Sequence, residues 1–255
     1  MAETPPADPK SRGRRSRPLR VADAIKDWVV EHGLQPGDRL PGEAELIEQF
    51  GMSKGTIREA MRLLQAQGLV ETKTGPGGGS FVGEVTRERA SALLANYFYF
   101  RDVSINDIYQ VRIALEPELA ASLAGKLTDA QLAELEAIME HYAEPARSAE
   151  EERQQHVASL RFHARLSDFG NNALLGFFIG FMAQILTDLT VYKQLYTAPN
   201  HDLWQRGRLH QIDLIAALRT GDAAKAHAVM RSHMEMAQSL MDIQEAEVMK
   251  RFIAE

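Results

Sequence analysis

Apolar residues recur at helical spacing along almost the whole chain, and the breaks in that pattern divide it into segments. Val21, Ala24, Ile25, Trp28 and Val29 form one stripe that Gly33 ends, which predicts a first helix followed by the turn-rich "QPGDRLPG". "EAELIEQF" predicts a short second helix, with Glu43 and Glu45 in its positively polarised first turn. Gly51 breaks the chain again and Ser53 is a good N-cap. Ile57, Ala60, Met61 and Leu64 then fall at i, i+3, i+4 and i+7 as the buried face of a third helix running to about Gln67. After Gly68, "LVETK" and "SFV" are strand segments flanking the turn "TGPGGG".

From Thr86 onward the pattern is helical throughout. It returns in "DIYQVRIALEPELAASLAGKL", "AQLAELEAIMEHY", "EERQQHVASLRFHARLSDF", the run from Asn171 to Tyr196, "LWQRGRLHQIDLIAALRT" and "AAKAHAVMRSHMEMAQSLMDI". Thr128 with Gln131 reads as a capping box, and Gly221-Asp222 ends one helix and starts the next. About six helices with short connections predict an antiparallel bundle able to hold a ligand cavity. The fold class is therefore mostly α: an N-terminal winged helix-turn-helix with a small β wing over residues 18–83, and an all-helical unit over residues 84–250. Residues 1–17 ("PKSRGRRSRP" and its neighbours) have too few apolar groups for a core and predict a basic disordered arm.

Charge sharpens this picture. Residues 1–82 hold 12 Lys and Arg against 11 Asp and Glu, while the remainder hold 17 against 24. The basic residues Lys54, Arg58 and Arg62, with Gln65, line the exposed face of the third helix. In a helix-turn-helix that face enters the major groove, where the arginine fork suits both phosphates and base edges. The chain has no cysteine, which excludes disulfides and thiolate chemistry and predicts a reducing, cytoplasmic setting. No signal-like segment opens the sequence. The uncharged run "NNALLGFFIGFMAQILT" is short for a bilayer and interrupted by Asn, Gln and Gly, so it predicts a core helix and no membrane partner.

Within the helical half, Arg112 lies among Val111, Ile113, Ala114 and Leu115, and His163, His210 and His233 fall on three separate helices. Three imidazoles on facing helices suit a divalent ion such as Zn or Ni, or each is an ordinary helix histidine with one hydrogen bond.

The stretches "LQPGDRLPGEAEL", "FGMSKGTIREAMRLLQAQGLV" and "TGPGGGSFV" resemble the GntR-type transcriptional regulators. The resemblance implies DNA contacts from Ser53, Lys54, Thr56 and Arg58 in the recognition helix and from Thr74 and Gly75 in the wing. Lys73 joins them by its charge beside the wing turn. Three positions depart from the family pattern: Gly42 replaces the usual Ser, Ala44 a common Arg, and Lys54 another Arg. The remainder, through "VRIALEPELA", "FHARLSDFGNNALL" and "AALRTGDAAKAHAVMRSH", is similar to the FCD effector domain of the FadR subfamily. That likeness implies a small carboxylate effector met by Arg112, with Asn171 near the pocket. It also implies a metal held by His163, His210 and His233, although the family's Asp ligand position is Ser159. It further implies a homodimer bound to double-stranded operator DNA and, most often in the family, repression. Two other functions compete: an acyl-CoA or lipid sensor built on Phe177, Phe178 and Phe181, and a His-metal hydrolase fused to a DNA-binding module. The second needs a general base, and no Glu or Asp neighbours the three histidines in a pattern such as His-Glu-x-x-His, so the sequence predicts no enzyme.

Overall fold

A computed structural model describes residues 16–101, 103–192 and 201–254. The chain divides into two compact units, with the break next to Ala90. The predicted arm falls almost wholly outside the described residues.

The first unit contains α1 (Arg17–Glu31), α2 (Glu43–Phe50), α3 (Lys54–Gln67), β1 (Val70–Lys73) and β2 (Gly79–Val82). Its core gathers Val21 and Ile25 of α1, Leu46 of α2, and Ile57, Ala60 and Leu64 of α3, together with Leu40 and Val70. The predicted α3 face is thus the buried one, with Met61 packed at its margin. Ser53 caps α3 by accepting the Thr56 amide at 3.3 Å, and Gly68 closes it in the left-handed region (φ 79°). Gly42 has no side chain with which to cap α2, so only half of a capping box forms: Glu45 accepts the Gly42 amide at 2.6 Å.

β1 and β2 pair antiparallel, with Val70 opposite Val82 and Lys73 opposite Gly79. The segment before α2 joins this sheet, since Leu40 N donates to Ser80 O and Val82 N donates to Asp38 O. The turn depends on glycine. A Cβ on Gly78 would lie 2.6 Å from the Lys73 carbonyl oxygen and 2.8 Å from that of Gly75.

α4 (Arg87–Tyr99) follows, a helix the periodicity did not isolate because its apolar residues, Leu93 and Tyr97 among them, remain exposed. The second unit then comprises α5 (Ile105–Leu123), α6 (Asp129–Met139), a short 3-10 turn (Glu140–Tyr142), α7 (Ala149–Asp168), α8 (Ala173–Tyr192), α9 (His201–Thr220) and α10 (Ala223–Ala254). Side-chain caps mark these helices where the chain can supply them: Ser104 with Asp107, Thr128 with Gln131, Ser148 with Glu151, and Asp222 accepting from the Lys225 amide. Pro117 sits inside α5 without ending it.

α5 packs on α10, α10 on α9, α7 on α8 and α6 on α7. α8 is long and apolar enough to cross a membrane. Gly176, Ile179, Ala183, Leu186 and Thr190 nevertheless form a buried stripe along it, as expected of a helix on the bundle core.

Candidate functional site

The first unit presents α3 and the wing. Lys54 and Arg58 extend from the exposed side of α3, with side-chain exposures of 61% and 57%. Neither is unpaired. Glu43, at the start of α2, accepts Arg58 Nε at 2.7 Å and lies 3.1 Å from Lys54 Nζ through its other oxygen. These two partners, Arg58 first, hold the Glu43 carboxyl below its ordinary range. Ser53 and Thr56 share a hydroxyl contact at 3.0 Å, so both are spent partly on the cap. Arg62 faces Glu59 at 3.5 Å. Gln65 is tied to the wing, its Nε2 donating to Thr72 Oγ1 at 3.0 Å.

At the wing, Lys73, Thr74 and Gly75 are exposed, and the Lys73 ammonium lies 4.7 Å from the centroid of the Phe81 ring. Arg39, which sequence reading passed over, donates from Nη2 to the Gly78 carbonyl at 3.0 Å and adds a cation at the wing base. Arg89 donates to the Ala66 carbonyl near the C-terminal end of α3, where positive charge complements the helix dipole.

The second unit holds a partly open cavity of about 60 Å³. α5 contributes Tyr109 and Arg112, and α7 contributes Glu152, Gln155, His156, Ser159 and His163. α9 adds Trp204, Arg208 and Gln211, and α10 adds His233. Arg112 and His163, both predicted, therefore meet in one place with His233. Asn171 does not join them: it is exposed in the connection between α7 and α8. His210 also falls outside the lining, half-buried on α9 with its ring centroid 5.6 Å from that of His233.

A continuous polar chain crosses the cavity wall. Arg112 Nε donates to Glu116 Oε1 at 2.5 Å, Glu116 Oε2 accepts His163 Nδ1 at 2.6 Å, and His163 Nε2 lies 3.2 Å from His233 Nε2. All four side chains are buried. Burial alone would raise the Glu116 carboxyl, but Arg112 and then His163 hold it at about 2. Burial depresses His233 well below the ordinary histidine value, reinforced by His163, His210 and Arg112. His156 is lowered to about 3 by burial first, with Arg112 and then His163 acting in the same direction. His210 is lowered by partial burial and by Arg206. The cavity thus favours His156 and His233 as neutral imidazoles beside the Arg112–Glu116 ion pair.

Glu116 was missed because an Arg and a Glu at i, i+4 on a helix ordinarily signal a surface pair. The only hint was the apolar setting of "VRIALEPELA".

Several buried polar atoms here have no hydrogen-bond partner: Arg112 Nη2, Gln155 Oε1, Gln211 Oε1 and His233 Nδ1. The Gln155 amide is oriented by its own donation to the Glu144 carbonyl at 2.9 Å, so its oxygen is the end left for the cavity. Gln211 Nε2 is engaged by Ser159 Oγ at 3.2 Å. Burying such groups is costly, and a cluster of them around one cavity marks a place built for a polar guest.

The three predicted metal ligands do not close on one point. Among the described residues no group of three or more His, Cys, Asp or Glu side chains is placed to hold a metal. His163 and His233 face each other through Nε2, whereas His210 lies outside the lining and Ser159, bonded to Gln211, offers a neutral hydroxyl where an anionic ligand was expected.

Comparison with known proteins extends these observations. A family model described as "Bacterial regulatory proteins, gntR family" matches residues 18–82, and one described as "FCD domain" matches residues 107–236. The HTH-type transcriptional regulator LutR of Bacillus subtilis (strain 168) is 27% identical, covering 81% of this chain and 93% of its own. The Uxu operon transcriptional regulator of Escherichia coli (strain K12) is 26% identical over 89% of this chain and 87% of its own. A solved structure of Streptococcus agalactiae GntR shares the fold at a TM-score of 0.62 and 21% identity, covering 87% of this chain and 99% of that one.

Proposed function

The chain belongs to the gntR family of bacterial regulators that carry an FCD domain, and we propose that its buried cavity receives a small hydroxycarboxylate that controls binding of the head to operator DNA. Family membership makes the protein a ligand-responsive DNA-binding transcription regulator rather than an enzyme. DNA is read by Lys54 and Arg58 with Ser53 and Thr56 on α3, and by Lys73, Thr74 and Gly75 in the wing. The protein acts in the cytoplasm as a homodimer on a two-fold operator, and effector binding releases it, as in a repressor. Exposed Leu174 and Phe178 on α8 support self-association.

One observation carries the effector class. Arg112 Nη2, a buried cationic donor without a partner, shares the cavity with the fixed acceptor Gln155 Oε1. A carboxylate satisfies the first and an alcohol hydrogen the second, and one small hydroxy acid supplies both. A volume of about 60 Å³ has room for a few water-sized groups, on the scale of roughly 10–15 Å³ each. That disfavours an acyl-CoA or lipid.

A divalent metal is the second reading, and one distance favours it. The 3.2 Å between His163 Nε2 and His233 Nε2 is close to the separation of about 3.3 Å between two nitrogens sharing a tetrahedral Zn. Glu116 would fix the His163 tautomer as an outer carboxylate commonly does. The set is incomplete without His210, and no part of the effector reading passes through a metal.

The test is thermal denaturation and operator binding with a panel of 2-hydroxy acids and their deoxy counterparts. Hydroxy acids should raise the melting temperature and release DNA. Gln155→Leu should equalise the two series while leaving ligand-free operator binding intact. Equal responses of the native protein to both series would reject the hydroxyl requirement.

A further inference from the structure

The contacts of Glu43 bear on the DNA-reading face rather than on the effector cavity. This carboxylate stands at the N-terminus of α2 and spans to α3, engaging Arg58 Nε at 2.7 Å with one oxygen and Lys54 Nζ at 3.1 Å with the other. Both cations are more than half exposed, so neither is held in place by packing. Two consequences follow from elementary geometry. An arginine whose Nε is occupied keeps both terminal nitrogens free and loses much of its rotational freedom, so its outward fork is set for the paired acceptors of a guanine edge. A carboxylate at the mouth of the groove also competes with phosphate for the same two cations and is itself repelled by the duplex.

We propose that Glu43 is a specificity-determining residue: it aims Arg58 at a base edge and suppresses adhesion of Lys54 and Arg58 to the phosphate backbone. Its two actions separate sequence-specific from non-specific binding. On the operator, Arg58 contacts a base through its terminal nitrogens while Nε stays on Glu43, so the carboxylate remains satisfied. On arbitrary DNA, full engagement of phosphates by Lys54 and Arg58 competes with Glu43 for both cations and leaves its negative charge beside the backbone. Depression of the Glu43 carboxyl by these same two partners keeps it charged through the neutral range.

Two substitutions in the full-length chain separate aiming from repulsion. Glu43→Gln keeps an oxygen acceptor for Arg58 but removes the charge, and Glu43→Ala removes both. The probes are the duplex that the native protein selects from a randomised pool and a scrambled duplex of the same length and composition. Fluorescence anisotropy is recorded between about 50 and 200 mM salt, the range in which counterion release is resolved. Glu43→Gln should bind the scrambled duplex about 2- to 10-fold more tightly, with a log–log salt slope steeper by about one ion. Its affinity for the selected duplex should change less, so discrimination narrows. Glu43→Ala should gain the same non-specific affinity and also lose affinity for the selected duplex, because Arg58 is no longer aimed. A purely structural role for Glu43 would lower both affinities together and leave the salt slope alone. That result, or a scrambled-duplex affinity unchanged in both variants, would overturn the proposal.

Discussion

Removing the carboxylate of Glu116 should unfold the helical unit more readily than any surface ion pair would suggest. Arg112 and Glu116 are each only 1% exposed, and their contact is 2.5 Å. A carboxyl held at about 2 rather than 4.5 corresponds to about 3 kcal/mol of favourable interaction with its surroundings at 1.36 kcal/mol per pKa unit. Coulomb attraction at an effective dielectric near 20 gives about 4 kcal/mol for charges roughly 4 Å apart. Both fall within the roughly 3–5 kcal/mol typical of breaking a buried pair by removing one partner.

Glu116→Leu and Arg112→Met should therefore each cost on the order of 3–5 kcal/mol, since each strands the other's charge. The double variant should cost much less than their sum, because no charge remains buried. Urea unfolding is followed by the emission of Trp204 in the cavity wall, in a Trp28→Phe background that leaves it the sole tryptophan. Additivity of the two single losses to within about 0.5 kcal/mol would refute the reasoning, since it would mean that the pair is uncoupled.

His156, lowered to about 3 from 6.5, binds a proton more readily unfolded than folded, so stability should fall as the pH drops below 6.5. By pH 5 the loss from this group is about 2 kcal/mol, or roughly 4–8 °C in melting temperature, with His233 acting in the same direction. Glu116 should add its own loss only below about 4.5. A melting temperature flat from pH 7 to 5 by differential scanning calorimetry would contradict this. Gly78→Ala should distort the wing, because the added methyl meets two carbonyl oxygens under 3 Å away. Operator affinity should drop several-fold by gel shift while the melting temperature of the helical unit stays unchanged.

The head was legible in the sequence because its signals are local. Ser53, Gly51, Gly68 and the wing glycines each specify backbone conformation within a few residues, and α2 and α3 fall where those signals placed them. What surrounds the charges was not legible. Lys54 and Arg58 read as free groups on an exposed stripe, yet Glu43, 11 and 15 residues earlier, reaches both. The cavity was legible in part. Arg112, His163 and His233 stood out as polar residues in apolar runs. Gln155 and His156 sit on α7 and Gln211 on α9, whose inward directions are set by packing of α7 on α6 and α8 and of α9 on α10, which no single-helix pattern encodes. Asn171 was placed by resemblance alone and is exposed, while Asn172 beside it caps α8 by accepting from the Leu174 and Leu175 amides at 3.1 Å.

The layout of α7 has a consequence for how such a sensor changes over time. Glu152, His156, Ser159 and His163 follow one another at intervals of four, three and four, forming a single strip that lines the cavity. Leu160, Phe162 and Leu166 of the same helix are buried in the hydrophobic core. Much of the polar lining that faces Arg112 is therefore written along one edge of one helix, and a single-codon change on that edge alters the cavity without excavating the core. Because the head has its own core, such a change also leaves the operator sequence it reads intact. A lineage can acquire a new effector in small steps while the genes it governs stay the same.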